Sequence, residues 1–372
     1  MNLNFGMFSR YTFFSILISG IISYSCGSGT GDQEPGYQLL ILDTLSIGFQ
    51  GEIHAGDFRD GRGVIYNYRS GEYLTFDSAG SVLARNRIPA QGENGLFYVN
   101  ALEFTDEGEI LAQSINGEIG LLDQQLQLKE KIIMPFPNGS IELKRNVSTL
   151  QKWRDQLLLF YPGRDSKSPY QMGYYRDNHL LEKLDLSTGK SSPFLKLSPE
   201  SQYQKNLHFE PPTALISVSG DQLYFAFNKE PLVHLYDLSG QGALQASVAL
   251  EAKKFVQVEG QEIPLGNDGS VLAEGEITGL FALDNGFAVT YFEGLENLPN
   301  QPNTSPPGQQ LKIHDEKNGW TGSVELPIEL LFVLNFEGPD LPFYGIINPV
   351  FTNNSTNTVK ILKFQIQPIP KS

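Results

Sequence analysis

The chain has one cysteine, Cys26, among its 372 residues, so it forms no internal disulfide bond. It has only five histidines, none of them in an HExxH pattern, and it has no acidic residue before Asp32. Its longest apolar run, residues 13–22, is shorter than the stretch of about 20 residues that a transmembrane helix needs. The single cysteine excludes a domain stabilised by internal disulfide bonds, and the short apolar run disfavours a helical membrane protein.

Charge is unevenly distributed along the chain. Of the 27 Lys and Arg residues, Arg10 alone precedes Asp32, whereas all 42 Asp and Glu residues lie at Asp32 or later. The long remainder is therefore strongly acidic and repels nucleic-acid phosphates and anionic lipids. We expect no nucleic-acid partner, and membrane contact only through a lipid anchor.

The first 25 residues have the pattern of a signal peptide. Arg10 gives a positive start, residues 13–22 an apolar stretch, and Ser23 to Ser25 a small-residue cleavage site before Cys26. The pattern predicts an exported protein lipidated at Cys26, although Ser23 stands where such sites usually carry Leu, Val or Ile. The alternative is an ordinary secretory signal that leaves Cys26 as a free thiol. Residues 26–36, rich in glycine, are typical of a flexible tether.

A repeated strand pattern fills the chain from Tyr37 onward. Short runs of β-branched and aromatic residues alternate with turn clusters, and no amphipathic helix is evident. Apolar strands that end in Asp before a turn recur five times, at Asp77, Asp123, Asp185, Asp237 and Asp315. Gln365 takes the equivalent place in a sixth copy. The carboxylates are expected to cap backbone N–H groups of the turn, not to act in catalysis.

The repeat predicts an all-β fold, a six-bladed β-propeller of four-stranded blades spanning residues 37–372. The unit of about 45 to 50 residues, lengthened by insertions, is the size of one blade. The sixth copy lacks a fourth strand, and residues 37–47 form an apolar strand without partners in the first copy. We therefore expect the N-terminal strand to close the last blade. Seven blades or two stacked β-sandwiches are the alternatives.

Together, the signal sequence, the count of six units and the Asp-turn repeat resemble the six-bladed propeller lipoproteins of Bacteroidetes-type outer membranes. Many members of that group are domains of unknown function. The resemblance covers the whole chain and implies an outer membrane lipoprotein, facing either the periplasm or the cell surface. It supplies no catalytic residues.

Long loops are predicted on one face of the propeller. The turns between first and second strands are short, whereas the insertions join second to third strands or successive blades, at residues 135–147, 162–179, 198–212, 251–276 and 293–309. Loops of this length in a compact domain usually carry function. We therefore expect this face to bind the partner.

The predicted binding residues lie in two of these loops: Tyr174, Tyr175, Arg176, Asp177, His179, His208 and Glu210. Tyrosine offers flat amphipathic area, and arginine a planar fork for carboxylates or hydroxyls. Alternatively, the loop folds over the propeller and its tyrosines cover the top. Histidine with a carboxylate could bind metal or transfer protons, but local hydrogen bonding is the simpler interpretation. We expect no metal and no cofactor.

Three functional hypotheses follow from the sequence. The first is a non-enzymatic, lipid-anchored envelope propeller that presents its loop-rich face to a protein, peptide or glycan. The second is a polysaccharide lyase or hydrolase, which needs paired carboxylates or a Tyr/His pair in a pocket. The third is a structural or sensory subunit of an envelope complex. No catalytic motif supports the enzyme, so the sequence favours the first.

Overall fold

The computed structural model describes residues 36–137, 149–263, 271–296, 308–351 and 358–369. Within these ranges the chain forms six antiparallel blades arranged as a β-propeller. Helical structure in the described part amounts to one short α-helix, Tyr174–Asp177, and three 3-10 turns, Arg164–Ser166, Gln202–Gln204 and Pro349–Phe351. The predicted fold class is confirmed, and the seven-bladed and sandwich alternatives are wrong.

Each blade has strands A to D, counted from the centre outward. Blade 1 has Ala55–Arg59, Arg62–Asn67, Glu72–Asp77 and Val82–Arg87. Blade 2 has Val99–Phe104, Ile110–Ser114, Glu118–Leu122 and Leu128–Ile133. Blade 3 has Leu150–Trp153, Gln156–Phe160, Leu181–Asp185 and Ser191–Phe194.

The remaining blades follow the same order. Blade 4 has Ala214–Ser219, Gln222–Phe227, Leu232–Asp237 and Ala243–Ala249. Blade 5 has Glu276–Leu283, Gly286–Phe292 and Gln310–Asp315, and its strand D is split into Gly319–Trp320 and Val324–Glu325. Blade 6 has Leu330–Asn335, Phe343–Ile347, Thr358–Pro368 and Tyr37–Gly48. A separate two-stranded sheet pairs Val271–Ala273 with Leu295–Glu296.

The N-terminal strand closes the ring, as the sequence predicts. Tyr37–Gly48 runs antiparallel to Thr358–Pro368 along its whole length, with one register irregularity between Ile41 and Asp43. Both ends of the described chain therefore meet in blade 6. Without the N-terminal strand, the backbone edge of Thr358–Pro368 would be unpaired.

Apolar residues are concentrated between blades. Strand B of blade 1, Arg62–Asn67, is buried on both faces from Gly63 onward, whereas its strand D, Val82–Arg87, is mostly exposed. Six buried apolar clusters are found, one at each junction between neighbouring blades. The junction of blades 6 and 1, for example, packs Phe58 against Tyr344 with ring centroids 3.8 Å apart. The inner strands are apolar because each blade covers the next.

The five Asp residues that end strands C cap the turns that follow. The Oδ1 atom of Asp77 accepts from the backbone N–H groups of Ala79 and Ser81 at 2.9 and 2.8 Å. Equivalent bonds are made by Asp123, Asp185, Asp237 and Asp315. Backbone N–H groups lower the pKa of Asp77 and Asp315. For Asp185 and Asp237 the largest cause of the lowered pKa is the hydroxyl of Ser187 or Ser239, and backbone N–H groups add to it. The predicted capping role is confirmed.

Several sequence predictions fall outside the described residues: the signal peptide at 1–25, Cys26, the tether up to residue 35, and parts of the loops at 135–147, 251–276 and 293–309. Across the part of the chain that is described, no helix has the length and apolarity to cross a membrane.

Candidate functional site

Two long loops of blade 3 fold together on an aromatic base. One joins strands B and C and contains the helix Tyr174–Asp177; the other follows strand D. The Tyr175 ring lies 5.4 Å from the rings of Tyr203 and Phe227, and Tyr203 lies 4.6 Å from Phe209. Gly173, at φ 71°, turns the chain into the helix where a side chain would be strained. The two loops are thereby held as one ordered unit.

Tyr174 and Tyr175 lie in the core of this unit, where they are 5% and 2% exposed. The hydroxyl oxygen of Tyr174 accepts from the backbone N–H of Gly163 at 3.2 Å, and burial raises the pKa of Tyr174. Both rings are inaccessible to a partner in this conformation. Their placement matches the alternative in which the tyrosines cover the top of the propeller.

The other predicted binding residues stay at the surface. Arg176 is exposed and pairs with Asp177, with Nε 2.7 Å from Oδ1. His179 and Glu210 are exposed and form no hydrogen bond or ion pair with any residue that the structure describes. His208 is half-buried, with Nδ1 3.2 Å from the carbonyl oxygen of Tyr170. Among the described residues, no group of three or more His, Cys, Asp or Glu side chains is placed to hold a metal ion.

A connected surface patch surrounds Arg176. Its Nη1 donates to Oδ1 of Asn206 at 3.2 Å, and Nδ2 of Asn206 donates to the sulfur of Met172 at 3.3 Å. Tyr170, joined to His208 through its carbonyl, and Met172 are 41% and 38% exposed. We call Tyr170, Met172, Arg176, Asn206 and His208 the blade 3 loop patch. The sequence prediction included Arg176 and His208 but missed the other three.

A cavity lies on the opposite face, where the A–B turns are. Its volume is about 920 Å³, and residues from strand A and the A–B turn of all six blades line it. It is therefore the mouth of the central channel. None of the predicted binding residues is among the described residues that line it.

A polar residue in strand A hydrogen-bonds one blade to the next at four junctions around the channel. Asp57 Oδ2 accepts from the backbone N–H of Phe104 at 2.8 Å, and Glu103 Oε1 accepts from that of Lys152 at 3.3 Å. Gln151 and Ser217 repeat the bond to blades 4 and 5, at 3.3 and 2.8 Å. Between blades 6 and 1, Asn335 donates through Nδ2 to the carbonyl of Phe58 at 2.8 Å.

Two of these residues that join neighbouring blades have carboxyl side chains with raised pKa values. Burial raises the pKa of Asp57 to about 6, although the N–H groups of Phe104 and Phe58 oppose the shift. Burial, and then the charge of Asp57, hold the pKa of Glu103 well above its usual range. The Oε2 atom of Glu103 is buried and has no hydrogen-bond partner among the described residues.

Ion pairs between blades surround the mouth. Arg59 pairs with Asp106 at 2.8 Å, and Lys152 pairs with Glu107 at 2.7 Å. The Nη2 atom of Arg154 lies 2.7 and 2.9 Å from the two carboxylate oxygens of Asp221, and Arg154 also stacks over the Trp153 ring.

Sequence reasoning missed the channel. The available signal was a polar residue at the same place in four consecutive A strands, at Asp57, Glu103, Gln151 and Ser217. In a single sequence, such a residue has the same appearance as the solvent-facing position of any alternating strand. The ring geometry is what directs these side chains toward the neighbouring blade.

Comparison with known proteins gives a fold likeness. No family model and no curated protein matches the chain. A solved structure of a DUF4221 family member from Bacteroides vulgatus is 11% identical, with a TM-score of 0.62, and covers 91% of this chain and 100% of its own. A protein named for its inferred export, from Bacteroides fragilis, is also 11% identical, with a TM-score of 0.52, and covers 89% and 96%. The likeness shows a shared propeller fold.

Proposed function

We propose that this protein is an exported, lipid-anchored propeller of the cell envelope that binds a protein, peptide or glycan through the blade 3 loop patch. The observation that carries the proposal is that the two long loops of blade 3 are held in place by packing. Their packing rests on four buried rings, those of Tyr174, Tyr175, Tyr203 and Phe209. A surface held in place before binding loses little conformational entropy when a partner arrives. The buried tyrosines support the patch, and its exposed residues make the contacts.

The chemistry of the patch suits a partner with both apolar and polar groups. Tyr170 and Met172 expose apolar area in this patch, and Met172 is linked to the guanidinium of Arg176 through Asn206. Aromatic, Met and Arg residues are enriched in the centres of protein interfaces. Tyrosine and arginine also stack on, and hydrogen-bond to, sugar rings and peptides.

The envelope location rests on the N-terminal sequence. The predicted signal peptide and Cys26 support export and lipidation, and the fold is shared with a Bacteroides protein named for its inferred export. We propose an outer membrane lipoprotein that faces the periplasm or the cell surface.

A polysaccharide lyase or hydrolase is the second candidate, favoured by the two carboxyls with raised pKa values in the channel, Asp57 and Glu103. However, Gln151 and Ser217 occupy the same position in the next two blades and make the same backbone bond. The side chains at this position therefore have a shared structural role, which is to join neighbouring blades. For this reason the two carboxyls support an enzymatic function less strongly than the blade 3 loop patch supports a binding function.

The test of the patch begins with a ligand identified by glycan array or by envelope pull-down. Tyr170→Ala and Arg176→Ala should each weaken its binding by about 2 kcal/mol, roughly thirtyfold, if they are interface anchors. Leu244→Ala is the matched apolar control, because Leu244 is 38% exposed on an outer strand. Lys317→Ala is the basic control on the opposite face. Equal losses in all four variants, or losses confined to the controls, would place binding elsewhere.

A further inference from the structure

The mouth of the central channel carries a surplus of negative charge. Nine acidic and three basic residues line it. Each of the three bases, Arg59, Lys152 and Arg154, is already paired with an acid of a neighbouring blade. The bases therefore form their ion pairs at the junctions between blades, and the other acids of the lining have no ion pair with a described residue.

Six acids of the lining form no ion pair with any described residue: Asp57, Asp60, Glu103, Asp155, Asp284 and Glu337. Asp60, Asp155 and Asp284 are exposed in A–B turns at the rim. Charges of one sign around a concave, low-dielectric surface focus the field and raise the local concentration of the opposite charge. The channel mouth is therefore built to attract cations.

Glu103 adds an acceptor inside the channel. Its Oε1 joins blade 2 to blade 3, whereas its Oε2 is buried without a hydrogen-bond partner in the described part of the chain. Burial, and then the charge of Asp57, raise the pKa of Glu103 and favour its neutral form, whereas a charged donor at Oε2 favours the carboxylate. Ammonium and guanidinium groups carry donors and no acceptor, so they suit an opening lined by unpaired acids.

We propose that the channel mouth binds an ammonium or guanidinium group, with Glu103 as the inner acceptor, which releases its proton to solvent as the cation binds, and the rim acids as its electrostatic entrance. The group belongs either to a Lys or Arg side chain of a peptide or to a small free amine. This site lies on the face opposite the blade 3 loop patch and stands independently of the function proposed for that patch.

Calorimetric titration of the purified full chain at low salt tests the proposal. The probes are a lysine-containing hexapeptide, the same peptide with acetylated lysines, cadaverine and calcium chloride. The lysine peptide should bind more tightly than its acetylated form, and added salt should weaken it. Binding of cadaverine as tightly as the peptide identifies a free amine as the source; tighter peptide binding identifies a partner side chain. Equal binding of both peptides, no binding of either amine, or binding of calcium alone overturns the proposal.

Glu103→Gln is the decisive variant. Glutamine keeps the acceptor oxygen for Lys152, as Gln151 does for the next blade, but removes the charge. The affinity for the amine that binds should fall at least about tenfold, since a charge-assisted bond becomes a neutral one. Glu130→Gln makes the same change on the exposed outer strand of the same blade and should leave affinity unchanged. Equal affinity of Glu103→Gln and wild type contradicts the proposal.

A second variant covers the case in which Glu103→Gln does not fold. Asp60→Asn with Asp284→Asn alters only exposed turn residues at the rim. This double variant should weaken binding of the same amine severalfold at low salt, and the difference should shrink as salt is added. A rim variant that binds like wild type at low salt contradicts the electrostatic entrance and, with it, the proposal.

Discussion

Aspartate has two opposite roles in this propeller, and its surroundings decide which one applies. Asp77 and its equivalents at the ends of strands C are exposed and accept several turn hydrogen bonds, which lower their pKa. Asp57 accepts two backbone bonds as well, yet burial in the channel raises its pKa to about 6. Where water still solvates the carboxylate, hydrogen bonds determine the pKa shift and lower the pKa. Where the carboxylate is buried, desolvation is the larger effect and raises the pKa.

His234 makes stability depend on pH. Its ring is buried, with Nδ1 2.9 Å from Oγ of Ser247, and burial lowers its pKa from 6.5 to about 4. Between pH 6.5 and 4 the unfolded chain takes up a proton at His234 that the folded chain does not. This residue should therefore cost roughly 3 kcal/mol of stability as the pH falls through that range.

Replacing His234 with Asn, which retains a polar partner for Ser247, should remove this contribution. The stability advantage of wild type over His234→Asn is expected to shrink as the pH falls from 7 to 4.5, measured by urea unfolding. Ser247→Ala is the control, because it breaks the same hydrogen bond but keeps the titrating ring. It should preserve the acid loss of wild type, whereas an unchanged loss in His234→Asn would show that His234 is not its source.

The N-terminal strand, Tyr37–Gly48, contributes both backbone pairing and core packing to blade 6. Ile47 is 1% exposed and packs in the cluster between blades 6 and 1, while Ile41 in the same strand is 58% exposed. The strand thus has one end in the core and a more exposed middle. Deleting residues 38–47 would leave Thr358–Pro368 with an open edge, which invites aggregation.

Substitutions in this strand separate packing from pairing. Ile47→Ala should lower the free energy of unfolding by about 2 to 4 kcal/mol, because it leaves a cavity at the junction that closes the ring. Ile41→Ala, the same change on an exposed face, should stay within about 0.5 kcal/mol of wild type. Urea denaturation measures both values. A small effect of Ile47→Ala would mean that the closing strand contributes little to stability.

The two faces of the propeller differ in the length of their loops and in their charge. The face of B–C and D–A connections carries long loops, including the blade 3 loop patch, while the A–B face carries short turns and the acidic channel mouth. In a propeller both faces are built from the same blades, so a ligand on one leaves the other open. The two proposed sites lie on opposite faces, so binding at one does not block binding at the other.

Anchoring is tested on the whole molecule in cells. Cys26→Ala should move the protein from the membrane fraction to the soluble fraction, because the proposed lipid is attached to the thiol of Cys26 and anionic lipid repels the strongly acidic remainder. Cys26→Ser serves as a second thiol-free variant and should behave in the same way. If both variants sediment with membranes as wild type does, the anchor is not at Cys26.

The sequence by itself determined the blade count and the turn-capping aspartates, because both follow from a strand-and-turn pattern that repeats along the chain. It also determined the closing strand, because the last blade lacks a fourth strand and the N-terminal strand has no partner in the first blade. Only the tertiary structure decided which residues are accessible. It buried Tyr174 and Tyr175 while leaving Arg176 exposed, and it brought Asp57 and Glu103 from separate blades into one channel. The burial of a loop side chain depends on which other loop covers it. The charge of a channel depends on six strands that are distant in sequence and meet only when the ring closes.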